Sequence, residues 1–202
     1  MMSQVTLLLI CMLFSKALSL SCFQCLPPGT CVQTTCLDQC LTTTASVYTN
    51  GTNVGDYSIK TCSLAGLCTS GSLNVGTLKL TSNAKCCSTD LCNSETLQAL
   101  PAQASNGRMC YSCDGTSCSG TVSCEGVEDR CFTASVQQGN SSVSFKGCVS
   151  KNICVAAAST SILGFSLSNV QCCEGNLCNG AESFTLSFLL MIVPLLSSIL
   201  FY

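Results

Sequence analysis

Two short motifs, Cys22-Phe23-Gln24-Cys25 and Cys110-Tyr111-Ser112-Cys113, have the spacing of redox dithiols and of zinc-ligand pairs. Both chemistries need free thiolates, and the rest of the sequence argues against them. The chain carries 21 cysteines in 202 residues, the density of a disulfide scaffold. Thiols at that density stay paired only in an oxidising compartment. There is no histidine, which removes the commonest general base, the imidazole zinc ligand and the usual activator of a nucleophilic serine or cysteine. The carboxylate pair Glu128-Asp129 is followed by Arg130 and reads as a solvated loop. No catalytic residue, metal site or cofactor is expected, and the protein reads as a non-enzyme. With 9% charged residues and a net charge of -2 there is no basic field for nucleic acid.

The cysteine pattern repeats along the chain. C-C-S-T-D-L-C-N runs from Cys86 to Asn93 and C-C-E-G-N-L-C-N from Cys172 to Asn179. The interval Cys62 to Cys68 matches Cys148 to Cys154, and Cys68 to Cys86 matches Cys154 to Cys172. The chain is therefore a duplicated module, at 20–93 and 109–179. A module of about 70 residues supplies no more than about 3–5 kcal/mol from its own core, so staples are required. Between the modules, residues 94–108 are small and polar with one proline, and read as a flexible linker with Arg108 as a protease-sensitive point.

Both ends read as targeting segments. Val5 to Phe14 is an apolar run of signal-peptide length, and Ala17-Leu18-Ser19 places small residues for cleavage after Ser19, giving a signal peptide at 1–19. Its removal takes Cys11 and leaves 20 of the 21 cysteines, an even number. At the other end, Asn179, Gly180 and Ala181 precede a short spacer and the uncharged apolar run Phe188 to Tyr202. That run falls short of the ~20 residues of a spanning helix and has no basic stop after it. The pattern is a glycosylphosphatidylinositol (GPI) signal, with attachment at Asn179 or Gly180 and a removed propeptide at 180–202.

Inside the modules the long intervals read as β-hairpins. Phe132, Ala134 and Val136 alternate with polar residues, turn at Gln138-Gly139-Asn140-Ser141, and return through Val143 and Phe145. In the first module Val47-Tyr48-Thr49 and Tyr57-Ser58-Ile59 flank Asn50-Gly51. No helical period stands out, and the fold class is all-β. Asn50-Gly51-Thr52 and Asn140-Ser141-Ser142 are glycosylation sequons at corresponding turns.

The pattern C-x-x-C, five further cysteines, then C-C-x-x-x-x-C-N resembles the three-finger domain of the lymphocyte antigen six and urokinase receptor family. The resemblance implies two tandem small, disulfide-rich, three-finger domains, each a knot with three projecting β loops. It implies the pairs Cys22–Cys40, Cys25–Cys31, Cys36–Cys62, Cys68–Cys86 and Cys87–Cys92 in the first module. In the second it implies Cys110–Cys131, Cys113–Cys118, Cys124–Cys148, Cys154–Cys172 and Cys173–Cys178. Asn93 and Asn179 match the family's terminal asparagine, whose amide can tie the chain end into the knot.

A scaffold does not fix function. The expected role is a cell-surface, GPI-anchored binding protein that recognises an extracellular protein through its fingers, as a receptor, co-receptor or adhesion module. An inhibitor of a secreted phospholipase or protease is the alternative. The expected third finger of the second module, Cys154 to Cys172, has no charge, and Ile162, Leu163, Phe165 and Leu167 cluster near its middle as candidate partner contacts.

Overall fold

The computed structural model describes residues 19–26, 29–114, 117–118, 120–138, 141–159 and 167–180. The signal segment up to residue 18 and the tail beyond residue 180 lie outside them, as do Asn140, Ile162, Leu163 and Phe165.

The first module is three antiparallel hairpins. β1 (Leu20–Gln24) pairs β2 (Val32–Cys36), β3 (Gln39–Thr49) pairs β4 (Thr52–Ser63), and β5 (Gly71–Asn74) pairs β6 (Leu78–Cys87). β3 is also bonded to β6 along its length, from Cys40↔Cys87 to Thr49↔Leu78. The β3–β4 turn is Asn50-Gly51, with φ of 48° and 78°. Both residues sit in the left-handed region, as a two-residue turn matching strand twist requires. A short 3-10 turn, Cys92–Ser94, closes the module.

The second module repeats the plan with one change. β7 (Ser105–Asp114) pairs β8 (Gly120–Glu125), and β9 (Arg130–Gln138) pairs both β10 (Ser141–Val149) and β11 (Leu167–Cys173). The expected hairpin between Cys154 and Cys172 is corrected: its first limb is a helix, α1 (Lys151–Ser159). The run Ala156-Ala157-Ala158 favours helix locally. At the helix start the Asp129 carboxylate accepts the Lys151 N–H at 2.8 Å, which suits the positive end of the helix. Leu167 opens β11 on the far side of that segment.

The modules are not beads on a string. β10 pairs β5 antiparallel through Cys148↔Asn74 and Val149↔Leu73, so one sheet runs β11-β9-β10-β5-β6-β3-β4 across both. Ser150 N–H donates to Ser72 O at 2.9 Å and Ser72 N–H donates back to the Ser150 hydroxyl at 3.1 Å. One apolar cluster spans the junction, with Leu73 and Val75 of the first module against Phe132, Ala134, Val149 and Ile153 of the second. The two strands approach closely at Gly147, where a Cβ would lie 2.0 Å from Asn74 O. Only a residue without a side chain permits that contact.

The expected linker 94–108 is corrected as well. β7 begins at Ser105, so Arg108 belongs to a strand. Its N–H is held by the Asn106 side chain at 3.0 Å beside Gly107, whose φ is 85°. Residues 94–104 form a strap laid over the first module. Thr44 Oγ1 donates to Leu97 O at 2.7 Å, Asn83 Nδ2 to Gln98 O at 2.9 Å, and Lys60 Nζ to Ser94 O. Beyond it, Gly126 N–H donates to Ala104 O at 2.9 Å. Flexible composition gave way to satisfied main-chain carbonyls.

Candidate functional site

Sulfur occupies the centre of each module. In the first, the disulfides are Cys22–Cys40, Cys25–Cys31, Cys36–Cys62, Cys68–Cys86 and Cys87–Cys92. In the second they are Cys110–Cys131, Cys113–Cys118, Cys124–Cys148, Cys154–Cys172 and Cys173–Cys178. Cys22, Cys40, Cys110, Cys124, Cys131 and Cys148 are fully buried. The sulfurs of Cys110, Cys124 and Cys148 lie within 4.8 Å of one another, the separation of a metal site. All three are in disulfides, so this cluster offers sulfur without the thiolate that zinc requires. The two C-x-x-C motifs are likewise split between different disulfides.

Around each knot an asparagine acts as a clamp. Asn93 Oδ1 accepts the Phe23 N–H at 2.9 Å, and its Nδ2 donates to Phe23 O at 2.8 Å and Leu41 O at 3.1 Å. Asn179 repeats this in the second module: Oδ1 accepts Tyr111 N–H at 2.9 Å, and Nδ2 donates to Tyr111 O and Phe132 O, each at 2.9 Å. Both side chains are buried. Each clamp bonds the module's first strand to its central hairpin from the chain end, so the last cysteine and the residue after it work together.

Polar chemistry concentrates at the junction of the modules. Glu128, expected in a solvated loop, is fully buried. One carboxylate oxygen accepts the Ser72 hydroxyl of the first module, and the other accepts the Glu125 N–H at 2.8 Å. Lys79 reaches across to pair with Glu125 and lies 3.8 Å from Glu128. Burial pushes the Glu128 carboxyl above the usual range; the bonds from Ser72 and the Glu125 N–H and the charge of Lys79 pull the other way and do not overcome it. Asp129 and Arg130 are only partly exposed and paired, and Arg130 also meets Glu174 at 3.1 Å. A cavity of about 310 Å³ opens beside this network, between Tyr48, Lys79, Pro101, Gln103, Glu125 and Val127. The sequence signal for the buried network was weak: Glu128 is far in the chain from Ser72 and Lys79, and the three carry no motif.

The surface candidates fall at the edges. Asn50 is an exposed turn residue at the tip of the second finger. Gly180 is half-buried against the Tyr111 ring, where an added Cβ would come within 3.3 Å. Among the described residues no helix is long and apolar enough to cross a membrane.

The u-PAR/Ly-6 domain profile matches this chain twice, at residues 18–95 and 106–181. The urokinase plasminogen activator surface receptor of Bos taurus is 31% identical over 104 residues, covering 47% of this chain and 32% of the receptor. A phospholipase A2 inhibitor of the gamma type from Elaphe climacophora is 32% identical over 111 residues, 49% of this chain and 56% of the inhibitor. Sperm acrosome membrane-associated protein 4 of Bos taurus is 36% identical over 79 residues, 38% of this chain and 63% of that protein. The aligned part thus spans about a third of the receptor and over half of the inhibitor. With the domain profile matched in both halves, on knots and hairpins of the kind described above, the chain belongs to the u-PAR/Ly-6 family.

Proposed function

We propose that this is a binding protein held on the extracellular face of the plasma membrane by a GPI anchor, recognising an extracellular protein through its finger loops as a receptor, co-receptor or adhesion module. The observation that carries the reading is the sequence order: a second u-PAR/Ly-6 module reaches its clamp, Asn179, and small residues, a short spacer and then an uncharged apolar run follow. Two relatives are named for binding roles, one a surface receptor and one an inhibitor. The interior of each module is filled by disulfides, which leaves recognition to the loops and the faces of the sheet. The anchor joins at Asn179 or Gly180; Gly180 leaves a residue of slack beyond the clamped side chain.

Inhibition of a secreted enzyme such as a phospholipase or protease is the second reading, favoured by the similarity to the phospholipase A2 inhibitor. Retention at the membrane separates the two. Phosphatidylinositol-specific phospholipase C applied to intact cells releases the full mature chain under the first reading. Protein found only in the medium supports the second, and cell-bound protein that still carries Phe188 to Tyr202 overturns the anchor.

A further inference from the structure

We infer that Asn50 carries an N-linked glycan that stands over the finger tips of the first module and the mouth of the cavity between the modules. This rests on the secretory route proposed above, and it narrows which loops can meet a protein partner. Asn50-Gly51-Thr52 is a sequon. Turn chemistry alone accounts for Asn50 and Gly51, which both need positive φ, but it asks nothing of position 52. The structure supplies the accessibility that a sequon lacks by itself: Asn50, Gly51 and Thr52 are all exposed, at the outermost point of the longest hairpin of the module.

The surroundings give the glycan its effect. The Asn50 N–H donates to Thr77 O at 2.8 Å, which ties the tip of the second finger to that of the third. Leu78, 36% exposed, lies opposite Thr49. Gly51 and Tyr48 line the cavity whose other wall comes from Pro101, Gln103 and Glu125. A branched sugar rooted at Asn50 therefore covers both tips and screens that opening, so a protein ligand reaches the first module elsewhere. In the transfer, Asn50 Nδ2 forms a bond to the anomeric carbon of a lipid-pyrophosphate-linked oligosaccharide. The bond from that carbon to the phosphate oxygen breaks, the amide gives up one proton, and the lipid pyrophosphate leaves; nothing is oxidised or reduced.

The test uses the full chain made in secretory cells and digested with peptide N-glycosidase in heavy-oxygen water. Conversion of Asn50 to labelled aspartate in most molecules is expected only where the enzyme is added, well above the spontaneous deamidation of Asn50-Gly51 in an enzyme-free incubation, together with loss of one glycan's mobility shift in Asn50→Gln and in Thr52→Ala. Thr52→Ala keeps the turn residues intact, so a folding fault in the first variant does not decide the matter. Hydroxyl-radical labelling of Leu78 should rise at least twofold once the sugar is removed from the native protein. Disulfide-bonded, extracellular protein with unlabelled Asn50 overturns the inference and leaves the surface reading standing. Unchanged Leu78 labelling overturns the screening. Reduced protein retained in the cytosol overturns both the inference and the reading beneath it.

Discussion

Asn93 and Asn179 show how much one side chain does at the end of a module. Each satisfies three main-chain groups of strands far away in sequence, and a buried unsatisfied group costs about 1–3 kcal/mol. Their place in the knot was legible because the ending C-C-x-x-x-x-C-N is specific. Glu128 was not legible. Beside Asp129 and Arg130 it has the local pattern of a solvated loop, and its burial comes from the other module, which brings Ser72 and Lys79 against it. Because its folded-state pKa is raised above the ordinary 4.5, the fold favours the protonated form. Its contribution is most favourable at pH below that ordinary value and is lost as pH rises through the raised one. Glu128→Gln keeps an acceptor for the Glu125 N–H and a polar partner for Ser72 without the charge. Thermal unfolding measured from pH 4 to pH 7 should show the variant gaining on the wild type as pH rises. A variant that loses ground as pH rises would show the Lys79 pairing outweighing the burial.

At the scale of elements, period and turn chemistry carried most of the reading. The alternation in β9 and β10 and the Asn50-Gly51 turn between β3 and β4 follow from local sequence. Two elements did not follow. α1 starts before Cys154 and runs into the first limb of a family hairpin, and its alanine run is too short to show a helical period; packing on β5 and the Asp129 carboxylate at its start complete it. The strap reads as linker because its residues are small and polar, yet Thr44, Asn83 and Lys60 fix its carbonyls. The alternation Cys40, Thr42, Thr44, Ser46, all buried, was the available signal that something polar covers β3. The pairing of β10 with β5 hangs on the close approach at Gly147. Gly147→Ala places a Cβ 2.0 Å from Asn74 O, so stability should fall by about 1–3 kcal/mol. Denaturant unfolding of the oxidised protein reads this, and a change below about 0.5 kcal/mol would show that the two strands can part without consequence.

For the whole molecule, duplication was written in the cysteine spacing, but the assembly of the copies was not. Nothing in either repeat announces that β10 of one will pair β5 of the other, because backbone pairing at a strand edge leaves no residue-type signature and the apolar side chains involved look like ordinary core. The consequence is a single unit. The strap, the shared sheet and the Lys79–Glu125 pair hold the modules in one arrangement, so their surfaces are presented together. Cutting the chain near Arg108 should therefore not release two independent halves, since the sheet pairing survives the cut. The most direct measurement is amide hydrogen exchange on the native, fully oxidised protein, followed at the Ser72 and Ser150 amides of the junction and at the β3–β6 amides of the first module. The single-unit account predicts that the junction amides are protected to within about tenfold of the β3–β6 amides, a difference of about 1.4 kcal/mol. Junction amides exchanging at the rate of an open chain while β3 and β6 stay protected would contradict it.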